Sequence, residues 1–125
     1  VLDQRVEKKQ YIYNYYKEHL KDINDIEFMP INTWNSPNCW LTSIILKGKI
    51  RPIDIIEALE KENIESRPIW KPMHIQPYFE KYNYVGSDAG EYIFNNGLCL
   101  PSDTKIRDEQ LNEIINIIKG LWKNA

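Results

Sequence analysis

A chain of 125 residues can bury one core, and residues 1–125 read as a single domain. Its hydrophobic share of 42%, charged share of 27% and net charge of −2 are ordinary for a soluble globular protein, and they favour neither a nucleic-acid backbone nor an anionic membrane as partner. No apolar run approaches the roughly 20 residues that span a bilayer, and no signal peptide is visible.

The elements follow in chain order. Leu2, Val6, Tyr13, Tyr16 and Leu20 recur at helical spacing, which predicts an amphipathic helix that stops before Asn24-Asp25. Ile26-Glu27-Phe28 is a short strand ahead of Pro30. Thr33 to Asn38 is a loop, and Cys39 to Leu46 is the best strand candidate, ended by Lys47-Gly48-Lys49. Pro52 suits the first turn of a helix whose apolar face is Ile53, Ile56 and Leu59, with Asn63 closing it in a left-handed conformation. Ile64 to Arg67 reads as a strand, Tyr78 to Tyr82 as a turn of helix, and Asp88 to Asn95 as a helix with Ser87 as N-cap and Gly97 as its stop. Leu98-Cys99-Leu100 is a short buried strand. The last helix presents Leu111, Ile114, Ile115, Ile118, Leu121 and Trp122 on one side, with Asp108 and Glu109 at its N-terminus and Lys119 and Lys123 at its C-terminus. Short strands and helices alternate with hairpin-friendly gaps. The expected fold is α+β, a two-layer domain with a short, mainly antiparallel sheet and helices on one face.

Two cysteines, Cys39 and Cys99, stand without a secretory context, which argues for a reducing, cytoplasmic compartment and for buried free thiols. With His19 and His74 they form no zinc pattern, so no metal site is expected. No Gly-rich phosphate loop and no nucleophile elbow is present, and no catalytic residue is assigned.

The segment Arg67-Pro68-Ile69-Trp70-Lys71-Pro72-Met73-His74 carries the most chemistry. Its prolines forbid a regular helix, so it is a shaped loop of the kind that holds binding residues. Arg67 can grip a carboxylate or phosphate through two parallel hydrogen bonds, or it can pair with Glu65 or Glu80 at the surface. His74 can bond a sugar hydroxyl or phosphate, or tie down its own loop. Trp70 can stack on a sugar or base face, with packing into the core the preferred reading. Lys71 reads as a solvated charge, and Trp34, Trp40 and Trp122 as core or interface aromatics.

These residues, with Gln76-Pro77 and the later Gly97-Leu98-Cys99-Leu100-Pro101-Ser102, resemble the C-terminal part of the DegT/DnrJ/EryC1/StrS aminotransferases. Leu2-Asp3 with Arg5, Tyr16 and Trp40-Leu41-Thr42 fit the same pattern. The resemblance implies the small domain of a pyridoxal-phosphate enzyme of fold type I, cut from a longer protein that passes an amino group, from glutamate, to a keto sugar nucleotide. It implies that the large N-terminal domain, the chain's expected partner, supplies the Schiff-base lysine. On that reading the fragment alone is inactive and holds no cofactor, while Arg67, Trp70 and His74 line the substrate side of the cleft. The parent is expected to be a homodimer in polysaccharide or glycan synthesis. Trp34, the Tyr-rich first helix and Trp122 are expected to form an exposed patch that promotes self-association. The competing reading is a stand-alone α+β module that uses the Arg67–His74 loop to bind a small anionic ligand.

Overall fold

A computed structural model describes residues 1–125. Four helices, α1 (Leu2–Leu20), α2 (Pro52–Glu60), α3 (Ala89–Asn96) and α4 (Asp108–Lys123), accompany four strands. The strands β1 (Ile26–Phe28), β2 (Thr42–Leu46), β3 (Arg67–Pro68) and β4 (Gly97–Leu100) form one sheet in the order β1-β2-β4-β3. Every neighbouring pair is antiparallel. The α+β expectation therefore holds.

Alternation along the strands decides which residues meet the helices. Ile44 of β2 sits opposite Leu98 of β4, and Thr42 sits opposite Leu100. Together with Leu46 this row faces Ile12, Tyr16 and Leu20 of α1, Ile55 and Leu59 of α2, and Leu111, Ile114, Ile115 and Ile118 of α4. Burial of these side chains is the main driving force for the fold. Polar ties register the helices on one another. The Tyr11 hydroxyl donates to Asp108 Oδ2 at 2.8 Å and the Tyr15 hydroxyl to Asn112 Oδ1 at 2.7 Å, which joins α1 to α4. Tyr16 donates to the Pro101 carbonyl at 2.9 Å, anchoring the chain just after β4.

Local signals explain the element ends. Pro52 occupies the first turn of α2, and the Arg51 N–H donates to Asp54 Oδ2 at 2.7 Å. Asn63 adopts φ 58°, the left-handed turn foreseen for it. No Ser or Thr caps α4, but the Arg107 N–H donates to Gln110 Oε1 at 3.0 Å, which satisfies one group at that end. Gly97 ends α3 in an extended conformation, φ −109°, and begins β4 at once.

Several expectations are corrected. Leu2 is exposed, and the buried stripe of α1 is Ile12, Tyr13, Tyr16 and Leu20. The second strand begins at Thr42, because Cys39 takes φ 50° and breaks extended pairing. The strand foreseen from Ile64 shrinks to Arg67–Pro68, at the sheet edge where a residue lacking an N–H is tolerated. Tyr78 to Tyr82 make turns only, closed by the Phe79 and Tyr82 amides on the Gln76 and Phe79 carbonyls. The helices do not all lie on one face: α3 adds nothing to the core cluster and packs across β2 and β4 on the other side.

Candidate binding groove

The second face of the sheet carries the candidate site. Register sets Ser43, Cys99 and Arg67 side by side in one row across β2, β4 and β3. Cys99 Sγ lies 3.6 Å from Ser43 Oγ. Phe94 of α3 stands at one side, and Ile69, Trp70 and Lys71 rise from the chain leaving β3. Trp40, Leu41, Lys9 and the Pro101–Asp103 turn complete the walls of a groove of about 790 Å³.

Arg67 and Trp70 come together in this groove, and His74 does not. The Arg67 guanidinium is largely exposed and paired with Glu65, at 2.8 Å from both Nε and Nη2, one of the two surface partners foreseen for it. An exposed pair of this kind contributes about 1 kcal/mol or less, so exchanging Glu65 for an incoming anion costs little.

Trp70 does not plug the core. Its side chain is 65% exposed, and Trp40, expected in a core or interface, is 64% exposed. The two indoles lie 6.1 Å apart, tilted by 34°, and form one bent aromatic surface. Trp34 is 82% exposed and does not line the groove, whereas Trp122 is half-buried and donates to Asp25 Oδ2 at 3.1 Å.

His74 sits in a 3-10 turn (Met73–Ile75) and is tied to α3 rather than to its own backbone. Its Nε2 lies 2.8 Å from Glu91 Oε1, and the Tyr84 ring stacks on the imidazole at 3.7 Å and 13°. This clasp holds the 77–88 excursion against the helix.

Trp40 matches the motif Trp40-Leu41-Thr42 but reads from the sequence as a core or interface aromatic, whereas Lys9 and Phe94 are groove residues that the sequence motifs did not single out. Lys9 Nζ donates to the carbonyls of Trp40, at 2.9 Å, and Ser102. Its one available signal was its place one turn before Tyr13 on a buried helix face. Ser66 Oγ, in the groove wall, is buried and lacks a hydrogen-bond partner. No cluster of three or more His, Cys, Asp or Glu side chains could hold a metal. No helix is long and apolar enough to cross a membrane.

A short antiparallel sheet sealed by three helices on one side and hollowed into an aromatic groove on the other defines an α+β module. Residues 1–119 match the DegT/DnrJ/EryC1/StrS aminotransferase family, and the chain belongs to that family. It is 38% identical to EpsN of Bacillus subtilis, a provisionally assigned pyridoxal phosphate-dependent aminotransferase, over 98% of this chain and 32% of EpsN. It is 34% identical to GDP-perosamine synthase of Vibrio cholerae, over 66% of this chain and 23% of that protein. The fold matches Helicobacter pylori PseC, an aminotransferase involved in the biosynthesis of pseudoaminic acid, with a TM-score of 0.80 at 18% identity, covering 96% of this chain and 33% of PseC. It also matches the aminotransferase TlmJ of Streptoalloteichus hindustanus, with a TM-score of 0.82 at 17% identity, covering 99% and 34%. The chain thus spans about a third of the length of EpsN and of both solved structures.

Proposed function

We propose that residues 1–125 are the C-terminal small domain of a pyridoxal-phosphate-dependent aminotransferase that passes an amino group from glutamate to a keto sugar nucleotide, in the synthesis of a polysaccharide or glycan. The observation that carries this reading is the groove, in which an exchangeable guanidinium, Arg67, stands beside the open aromatic surface of Trp70 and Trp40. A sugar nucleotide has the matching parts: phosphates for the fork of Arg67, and ring faces for the indoles. His74 buttresses this side of the cleft through Glu91 and Tyr84.

Pyridoxal phosphate supplies the electron sink for amino transfer when bound. The donors of this groove do not fit it by themselves. The Lys9 ammonium is taken up by two main-chain carbonyls, and Lys71 is exposed, without the desolvated setting that activates an amine. We therefore assign the cofactor to a large N-terminal partner domain and read the chain alone as inactive, with no step of the reaction carried out by its residues. The assembled enzyme on this reading is a cytoplasmic homodimer.

The test is a chimera in which this chain replaces the matching segment of GDP-perosamine synthase. A folded chimera should form GDP-perosamine with glutamate as donor, and Arg67→Ala should raise KM more than it lowers kcat. A folded chimera that retains the cofactor yet shows no transfer would overturn the assignment.

A further inference from the structure

We infer that Trp40 is a ligand-stacking residue of the groove and that Lys9 is the positioning residue that presents it. The inference rests on the reading of the groove as the substrate side of a cleft.

An indole left in solvent by chance needs no scaffold. The main chain that carries Trp40 has one. The residue before it, Cys39, is held at φ 50°, a left-handed conformation that an L side chain rarely adopts. The Trp40 N–H donates to Asn38 Oδ1 at 3.1 Å, which closes a tight local turn. Its carbonyl accepts from Lys9 Nζ at 2.9 Å. The next residue of α1, Gln10, donates through Nε2 to the Pro37 carbonyl at 3.0 Å. Two consecutive side chains of α1 thus clamp residues 37–40, and the strained residue lies inside the clamp. Strain of this kind persists only where the surroundings over-determine it, and it collects at binding sites.

Lys9 does a second thing. Its ammonium also donates to the Ser102 carbonyl, so it joins the Trp40 segment to the turn that follows β4. Both segments line the groove, and Trp70 lies beside Trp40 on its wall. Lys9 is therefore unavailable as a ligand for an anion, and its charge serves to hold two walls at a fixed separation. The indole face so presented suits the ring of a nucleoside diphosphate, with Arg67 left to meet the phosphates.

The experiment uses the 15N-labelled chain. The four indole N–H resonances are assigned with Trp34→Phe, Trp40→Phe, Trp70→Phe and Trp122→Phe. The probes are GDP, mannose and inorganic pyrophosphate, titrated separately. With GDP, the Trp40 and Trp70 indoles and the Arg67 side chain should shift together and saturably, while Trp34 and Trp122 stay still. Mannose shifting the indoles as GDP does would reassign the aromatic surface to the sugar ring. Pyrophosphate should move Arg67 alone.

Lys9→Met should weaken GDP binding about fivefold or more, the range of one lost stacking contact, with Lys9→Arg restoring it and Lys8→Met neutral. Should Lys9→Met fail to fold, Trp40→Ala, at an exposed position, makes the same measurement. Movement of Arg67 and Trp70 without Trp40, or an unchanged affinity in Lys9→Met or Trp40→Ala, would overturn the inference and leave the groove reading standing. If no groove resonance responds to GDP, the groove reading fails and the inference falls with it.

Discussion

Adding one methyl group to two different glycines should move stability in opposite directions. A Cβ on Gly97 would lie 2.6 Å from the Ile93 carbonyl oxygen, 2.8 Å from Ile69 Cγ1 and 3.2 Å from the Ile44 carbonyl oxygen. The backbone conformation of Gly97 is open to any residue, so the cost is one of space alone. Two of the three obstacles are main-chain atoms, one in α3 and one in the β2 ladder, and neither can turn aside as a flexible side chain would. Gly97→Ala should therefore fall in the upper part of the usual range for overpacking, about 2–3 kcal/mol. For a domain of this size that lowers Tm by roughly 8–12 °C. Gly120 lies inside α4 with nothing within 4 Å of an added Cβ. There the methyl removes backbone entropy from the unfolded chain and improves helix propensity, so Gly120→Ala should stabilise by about 0.5–1 kcal/mol. Thermal unfolding followed by far-UV circular dichroism, on both variants under one buffer, makes the comparison. A Gly97→Ala protein within ~0.5 kcal/mol of the parent would refute the claim that α3 is seated on β4 through this contact.

Leu59→Ala, at a fully buried position of α2, should cost about 2–5 kcal/mol, measured by urea unfolding. Arg67→Ala should leave stability within ~1 kcal/mol, since its partner Glu65 is equally exposed, but should lower GDP affinity about tenfold by isothermal titration. Stability should fall on the alkaline side. Burial pushes the Cys39 thiol above its ordinary 9.0 and the Tyr16 phenol above its ordinary 10.0, and Tyr13 is raised by burial first and by Cys39 second. Raised values mean that the folded state keeps these protons longer, so their contribution is complete below about pH 9 and is lost as pH climbs past 10. Urea midpoints from neutral to alkaline pH should show this decline, and a flat profile would contradict the burial of these groups. Tyr16→Phe should flatten the decline and, by leaving the Pro101 carbonyl unpaired, cost about 1–3 kcal/mol at neutral pH.

Where a residue's role depends on near neighbours in the chain, it could be read in advance. Helical spacing located α4 with its buried Leu111, Ile114, Ile115 and Ile118, and proline and asparagine chemistry placed both ends of α2. The β-branched run placed β2, and the prolines marked the segment from Arg67 to His74 as a shaped loop. The motif residues were sufficient for the family, and the match over residues 1–119 agrees with them.

Other features depended on partners far along the chain, and those only the tertiary structure could decide. Trp70 and Trp40 had the composition of core residues and became an open aromatic surface, because β3 ends at Pro68 and Lys9 draws in the Trp40 carbonyl across 31 positions. His74 left the company of Arg67 because Glu91, 17 positions on, took its Nε2. Period and propensity act over a few residues and are printed in the order of the amino acids. The shape of a groove is set by which distant segments the sheet register and the helix packing bring to one face, and no local rule carries that information.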